Sequence, residues 1–297
     1  MILLTTLTAV LSLLFFIWRA RKQHNDFLNT VEVVTLTAVY SKHLDNQRDI
    51  QVFLPPSYHD GHESSYKSLY INDGQDMEAL GLRETLARLY QRDQIDPLIV
   101  VAVPTNADRL QEYGTAVAPN AQNLGTKAPE YAQFIIKELV PFVRTKFAVS
   151  DRGKDTAVLG ASLGGLSAFD LAWNFPDQFG TLGVFSGSFW WRAAANETQI
   201  TPGKLIAHEM VKKGEYYPGR RAWFEAGTYD ERSDRDNNGV IDAIQDTLEL
   251  IDALEGLGYR YGVEIEYVEV VNGRHDWPTW AEVLPDFLQW AFPARRK

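Results

Sequence analysis

Thr156-Ala-Val-Leu-Gly-Ala-Ser-Leu-Gly-Gly-Leu-Ser-Ala168 decides how this chain is read. The apolar run Ala157, Val158, Leu159 enters a Gly-x-Ser-x-Gly pentapeptide, Gly160 to Gly164, and leaves it through residues that suit a helix. A serine at the apex of a sharp strand-to-helix turn has a strained backbone. The two arms pass so closely that Gly160 and Gly164 must lack side chains. The helix start lies directly behind the hydroxyl, and its free N–H groups stabilise negative charge developing on a substrate oxygen. A glycine-rich turn of an ordinary doubly wound sheet shares part of this pattern, but the flanking strand and helix favour Ser162 as a nucleophile.

Outward from this segment, apolar strands alternate with amphipathic helices, as in a mainly parallel twisted sheet with helices on both faces. The class is α/β. Val31 to Tyr40 and Asp49 to Leu54, rich in β-branched residues, predict two antiparallel strands joined near Asp45 and Asn46, with Pro55 and Pro56 ending the second. Further strands are expected at Ser68–Ile71, Leu98–Val103, Thr156–Ala161, Thr181–Phe185, Arg221–Ala226 and Glu264–Val271. Helices are expected at Glu84–Gln91, Tyr131–Phe142, Gly165–Trp173, Asp242–Leu257 and Trp280–Phe292.

The 297 residues, 45% hydrophobic, suffice for one large core. A formal net charge of -10 leaves no basic stripe to neutralise phosphates, so a nucleic-acid partner is not expected. With no cysteine, thiol catalysis, disulfides and zinc-thiolate sites are excluded. Ile2 to Trp18 is largely apolar and is followed by Arg19, Arg21 and Lys22, which predicts an uncleaved membrane-directed segment over residues 1–22. Basic residues on its C-terminal side place the domain on the cytoplasmic side by the positive-inside rule. An export signal with atypical flanks and a helix packed on the domain are the alternatives.

A serine needs a base, ordinarily a histidine held by a carboxylate. Only His208 and His275 follow Ser162. His208 lies in Lys204–Val211, which reads as a solvated helix, whereas His275 follows the last strand on a loop at the sheet's C-terminal edge. His275 is the candidate base. The acid is expected after the strand Arg221–Ala226, where Asp230, Glu231, Asp234 and Asp236 crowd together; Asp230 is preferred, followed by Glu231 and Asp234. A second oxyanion donor is expected on the turn after Tyr70-Ile-Asn72, so the backbone N–H groups of Gln75 and Leu163 form the predicted oxyanion hole.

Two further motifs compete for attention. Asp234, Asp236, Asn238, Gly239 and Asp242 match positions of a calcium loop, but Gln245 stands where the bidentate glutamate belongs. An acidic helix start explains the same residues, and no metal or other cofactor is assigned. Phe189, Trp190 and Trp191, at the end of another strand, suit either the wall of a bulky or aromatic acyl pocket or the packing beneath a loop.

The segments Val52-Phe-Leu-Pro-Pro-Ser-Tyr58, Leu69-Tyr-Ile-Asn-Asp-Gly-Gln75, Glu138-Leu-Val-Pro141, Gly160-Ala-Ser-Leu-Gly-Gly165, Ser186-Gly-Ser-Phe-Trp-Trp191 and Gly273-Arg-His-Asp-Trp277 together resemble the putative-esterase branch of the α/β-hydrolases. That branch includes enterochelin and feruloyl esterases, S-formylglutathione hydrolase and the mycolyltransferases. The resemblance implies an α/β-hydrolase fold over residues 31–292 and a serine esterase acting on a small-molecule ester. It implies Ser162 as nucleophile, His275 as base and the Gln75 and Leu163 amides as oxyanion hole, with Asp230 fitting the Gly-Thr-x-Asp pattern of some members. Arg109, Glu112 and Tyr113 resemble an Arg-x-x-Glu-Tyr segment of the enterochelin-esterase-like members, which implies a substrate-binding Arg109. Trp190 and Trp191 are the other expected substrate contacts. An acyltransferase using the same acyl-enzyme, or a membrane-tethered binding module without turnover, are the rival functions.

Overall fold

The computed structural model describes residues 19, 22–23, 25–61, 65–194 and 203–294. β1 (Glu32–Ser41) and β2 (Asn46–Leu54) pair antiparallel, with a register shift between Leu36 and Val39. β3 (Lys67–Asn72) then leads to α1 (Leu82–Gln91), β4 (Leu98–Val103) and the single turn α2 (Arg109–Glu112). A long helical stretch follows as α3 (Ala128–Gln133), a π-helical segment Phe134–Leu139, and α4 (Val140–Lys146). Pro141, which has no N–H to donate, sits just beyond the π-helical turns. β5 (Thr156–Ala161) and α5 (Leu163–Asn174) flank Ser162. β6 (Thr181–Phe185), α6 (Ile206–Lys212), β7 (Arg221–Tyr229), α7 (Asp242–Gly256), β8 (Ile265–Arg274) and α8 (Trp277–Ala291) complete the order.

The strands form one eight-stranded sheet in the order β1-β2-β4-β3-β5-β6-β7-β8, parallel from β4 onward. The period of two along each strand divides the core. Ile99, Val101 and Val103 of β4 join Val158 of β5 on the face covered by α3, α5, α6 and α7, where Phe134, Phe169, Ile206 and Leu250 lie. Leu98, Val100 and Ala102 join Ala157 and Leu159 on the opposite face, against Leu86 of α1 and Trp280 and Phe287 of α8. Every residue of β4, β5 and β6 is buried, which explains why their sequences are apolar runs without alternation.

The ends of two strands and the burial of one histidine are corrected. β7 continues three residues past Ala226, and β8 continues through Asn272-Gly273-Arg274, because pairing resumes beyond an irregularity with Tyr229 opposite Arg274. His208 is in a helix as expected but is buried, not solvated: its Nε2 donates to the Asp246 carbonyl of α7 at 2.8 Å. Burial pushes its pKa down to about 4, so it is neutral near pH 7. The apolar segment predicted at residues 1–22 falls almost wholly outside the described residues, among which no helix is long and apolar enough to cross a membrane.

Candidate active site

Ser162 sits between β5 and α5 with φ 56° and ψ -125°, a backbone conformation that L-residues rarely adopt. A Cβ on Gly160 would lie 2.1 Å from the Gly164 carbonyl oxygen, so the turn closes only with glycine there. The Ser162 N–H donates to the Phe185 carbonyl at 2.8 Å, and its carbonyl accepts from Gly165, Leu166 and Ser188. The end of β6 and the first turn of α5 therefore hold this residue in its strained state. Leu163 is the first residue of α5, where an N–H has no acceptor within the helix.

The turn carrying Gln75 is fastened to the same segment. Asn72 Nδ2, at the end of β3, donates to the Gly164 carbonyl at 2.8 Å, while its Oδ1 accepts from the Tyr131 hydroxyl at 2.7 Å. The next residue, Asp73, has φ 57° and donates its N–H to the Tyr113 hydroxyl. Gly74 is required because a Cβ there would stand 2.5 Å from the Ala102 carbonyl carbon. Asp73 is buried, and Arg109 binds both of its carboxylate oxygens, through Nε at 2.7 Å and Nη2 at 2.8 Å. That hydrogen-bonded pair raises the Arg109 pKa above its ordinary value. Asp73 Oδ2 also lies 2.7 Å from where a Cβ on Gly164 would be. Arg109, expected to meet substrate, thus holds the loop between Ser162 and Gln75 through two of its nitrogens. Asn72, Asp73 and Tyr131 were not singled out individually in the sequence, and Tyr113 only as part of the Arg-x-x-Glu-Tyr segment; Asn72-Asp73-Gly74 directly after a strand was the available signal.

On the other side of Ser162, β7 and β8 bring Asp230 and His275 to the sheet's C-terminal edge. A Cβ on Gly227 would lie 2.5 Å from the Gly273 backbone and 2.8 Å from Asp230 Oδ1, so glycines at the close crossing let the Asp230 turn fold back on the strand. The Asp230 carboxylate oxygens are buried without a hydrogen-bonding partner among the described residues. Burial raises its pKa, opposed by the nearby Ser186 hydroxyl, the Gly227 amide and the charge of His275. His275 is exposed and stands edge-on to Trp280, ring centroids 5.2 Å apart. Trp280 Nε1 donates to Ser186 Oγ at 2.9 Å, and Asp276 caps α8 by accepting from the Thr279 N–H at 3.1 Å. Beneath them Glu225 of β7 is fully buried, and burial followed by the Asp230 charge pushes its pKa up to about 8. Glu225 was missed, although a carboxylate inside the apolar stretch Trp223-Phe-Glu-Ala226 was visible.

The remaining candidates have other surroundings. Asp234 accepts from the Asn238 and Gly239 N–H groups, which lowers its pKa. Asp242 accepts from the Arg235 N–H at 2.9 Å, and Gln245 Nε2 donates to Asp236. Among the described residues no group of three or more histidine or acidic side chains is arranged to hold a metal. Glu231 is half-buried. Phe189 and Trp191 are buried, the Trp191 indole lying where Cβ atoms on Gly114 and Gly125 would each approach it to 3.0 Å. Trp190 is 48% exposed and is the member of the pair open to solvent.

The family model described as "Putative esterase" matches residues 41–291, and the chain belongs to that family. An uncharacterized protein of Bacillus subtilis (strain 168), YbbA, is 26% identical over 166 residues, covering 54% of this chain and 65% of the relative. The iron(III) enterobactin esterase of Escherichia coli (strain K12) is 38% identical over 92 residues, 31% of this chain and 22% of that protein. The crystal structure of the enterobactin esterase FES from Shigella flexneri has a similar fold, with a TM-score of 0.63 at 22% identity, covering 88% of this chain and 59% of that one. The chain thus spans less than two thirds of the length of each of these proteins.

Proposed function

We propose that this protein is a serine carboxylic-ester hydrolase working through an acyl-enzyme. The reading is carried by the strained Ser162 between β5 and α5 in a member of the esterase family. His275 takes the Ser162 proton as the hydroxyl attacks the ester carbonyl, and the Gln75 and Leu163 amides receive the oxyanion. Asp230 steadies the imidazolium. Collapse of the tetrahedral intermediate transfers the proton from His275 to the leaving alcohol, and water repeats the sequence on the acyl-enzyme. The acyl group rests beside Trp190. The relatives named for enterobactin make a catecholate ester the first substrate to assay, alongside acetyl, feruloyl and thioester compounds.

The Ser162→Ala variant is expected to lower kcat/KM for p-nitrophenyl acetate by at least ~10³-fold and to abolish labelling by a fluorophosphonate probe. Hydrolysis undiminished in purified variant would overturn the assignment.

A further inference from the structure

Glu225 and Asp230 are two carboxyls on one face of one strand end. Along β7, Glu225 and Gly227 project to the same side because side chains alternate. Asp230 folds back so that its Oδ1 lies against Gly227 on that side. Ser186, at the end of the neighbouring strand β6, reaches into the same space. It has φ 45°, its N–H donates to the Glu225 carbonyl at 2.9 Å, and its hydroxyl donates to Glu225 Oε2 at 3.3 Å. Among the described residues, Glu225 Oε1 and both Asp230 oxygens have no hydrogen-bonding partner. Charges facing the pair from other elements are His275 and Asp276 after β8, with the Tyr267 hydroxyl on β8 itself bonded to Glu269. Among the described residues, none of the largest electrostatic influences on either carboxyl comes from a Lys or Arg. Two buried carboxylates without a fixed cation cannot both be ionised cheaply, because each is desolvated and each repels the other.

We infer that Glu225 is a positioning residue whose carboxyl shares one proton with Asp230, so that the pair presents a single negative charge to His275. This rests on the esterase reading. The proton resides on Glu225, the more buried partner, and the charge resides on Asp230, beside the imidazole. When the Asp230 charge is removed, burial still favours the protonated form of Glu225, but the added repulsion is gone, so Glu225 ionises more readily and takes over part of the charge. Ser186, anchored by Trp280, keeps the Glu225 carboxyl in place for either state.

The test combines kinetics with carboxyl spectroscopy on the full chain. Asp230→Asn is expected to lose ~10- to 100-fold in kcat/KM, and Asp230→Asn with Glu225→Gln ~10⁴-fold, the level of a histidine without its acid. Infrared difference spectra at pH 7 should show a buried protonated carboxyl that Glu225→Gln removes. The wild-type pH–rate profile should also carry a change near pH 8 that Glu225→Gln lacks. A double variant no worse than Asp230→Asn overturns the proposal, as does a Glu225→Gln variant as damaged as the double, which would make Glu225 the acid itself. The infrared band does not depend on turnover, so it tests the pair even if Ser162→Ala shows the esterase reading to be wrong.

Discussion

The two sides of Ser162 are built in opposite ways. Toward Gln75, the polar groups that hold the turn are tied: Asn72 to Gly164 and Tyr131, the Asp73 amide to Tyr113, the Asp73 carboxylate to Arg109. Toward His275, Glu225 Oε1 and both Asp230 carboxylate oxygens are buried without a hydrogen-bonding partner among the described residues, and the imidazole is exposed. An oxyanion hole works by having its donors fixed before charge develops, so under the proposed mechanism rigidity at Gln75 would contribute directly to rate. A general base must gain and lose a proton in each cycle, and charge that is not locked by a permanent cation remains available to it.

Breaking the tied side at its charged anchor gives the largest effect on stability. Arg109→Ala leaves Asp73 buried without its cation, and the variant should be about 3 kcal/mol less stable in urea unfolding. Arg109→Lys should recover only part of this, because an ammonium cannot reproduce the two parallel bonds to the carboxylate. Full stability in Arg109→Ala would mean that the pair contributes nothing to the turn.

The untied side responds to pH instead. In the unfolded chain Glu225 ionises near its ordinary 4.5, but in the fold it holds its proton to about 8. The folded state therefore binds more protons over that window, and stability falls as pH rises from 4.5 through 8, by on the order of a few kcal/mol in total. Glu225→Gln removes this dependence, so its melting temperature should exceed that of the wild type by a margin that grows between pH 5 and 8. A margin constant with pH would show that Glu225 is ionised in the fold.

Legibility in the sequence follows the same division between local and distant causes. Leu98–Val103, Thr156–Ala161 and Thr181–Phe185 have the limits expected of them, because a strand buried on both faces is written as an apolar run. The Ser162 turn is local too, and its glycines announce it. The end of β8 is different: Asn272-Gly273-Arg274 reads as a loop, and only its pairing with β7 makes it a strand. His208 is buried by α7, and Arg109 meets Asp73 across 36 residues of sequence, so neither partnership has a local pattern. Trp190 and Trp191 are adjacent, yet Trp191 is the buried one, packed against Gly114 and Gly125 far away in the sequence.

The smallest expected effect comes from the neutral bond that joins the two halves of the predicted oxyanion hole. Asn72→Ala removes the donor to the Gly164 carbonyl and the acceptor of the Tyr131 hydroxyl, both buried, at about 1–2 kcal/mol of stability. Its effect on catalysis should be larger than that on binding, because the turn at Gln75 would drift relative to Leu163 while the proposed acyl contact at Trp190 is untouched. kcat should fall ~10-fold or more with KM nearly constant. Tyr131→Phe deletes only the outer bond of the chain, leaves Asn72 Nδ2 on Gly164, and should retain most of kcat. If Asn72→Ala instead raised KM with kcat preserved, the tied side would be holding substrate in its ground state, and the contrast between a fixed oxyanion side and an adjustable base side would have to be abandoned.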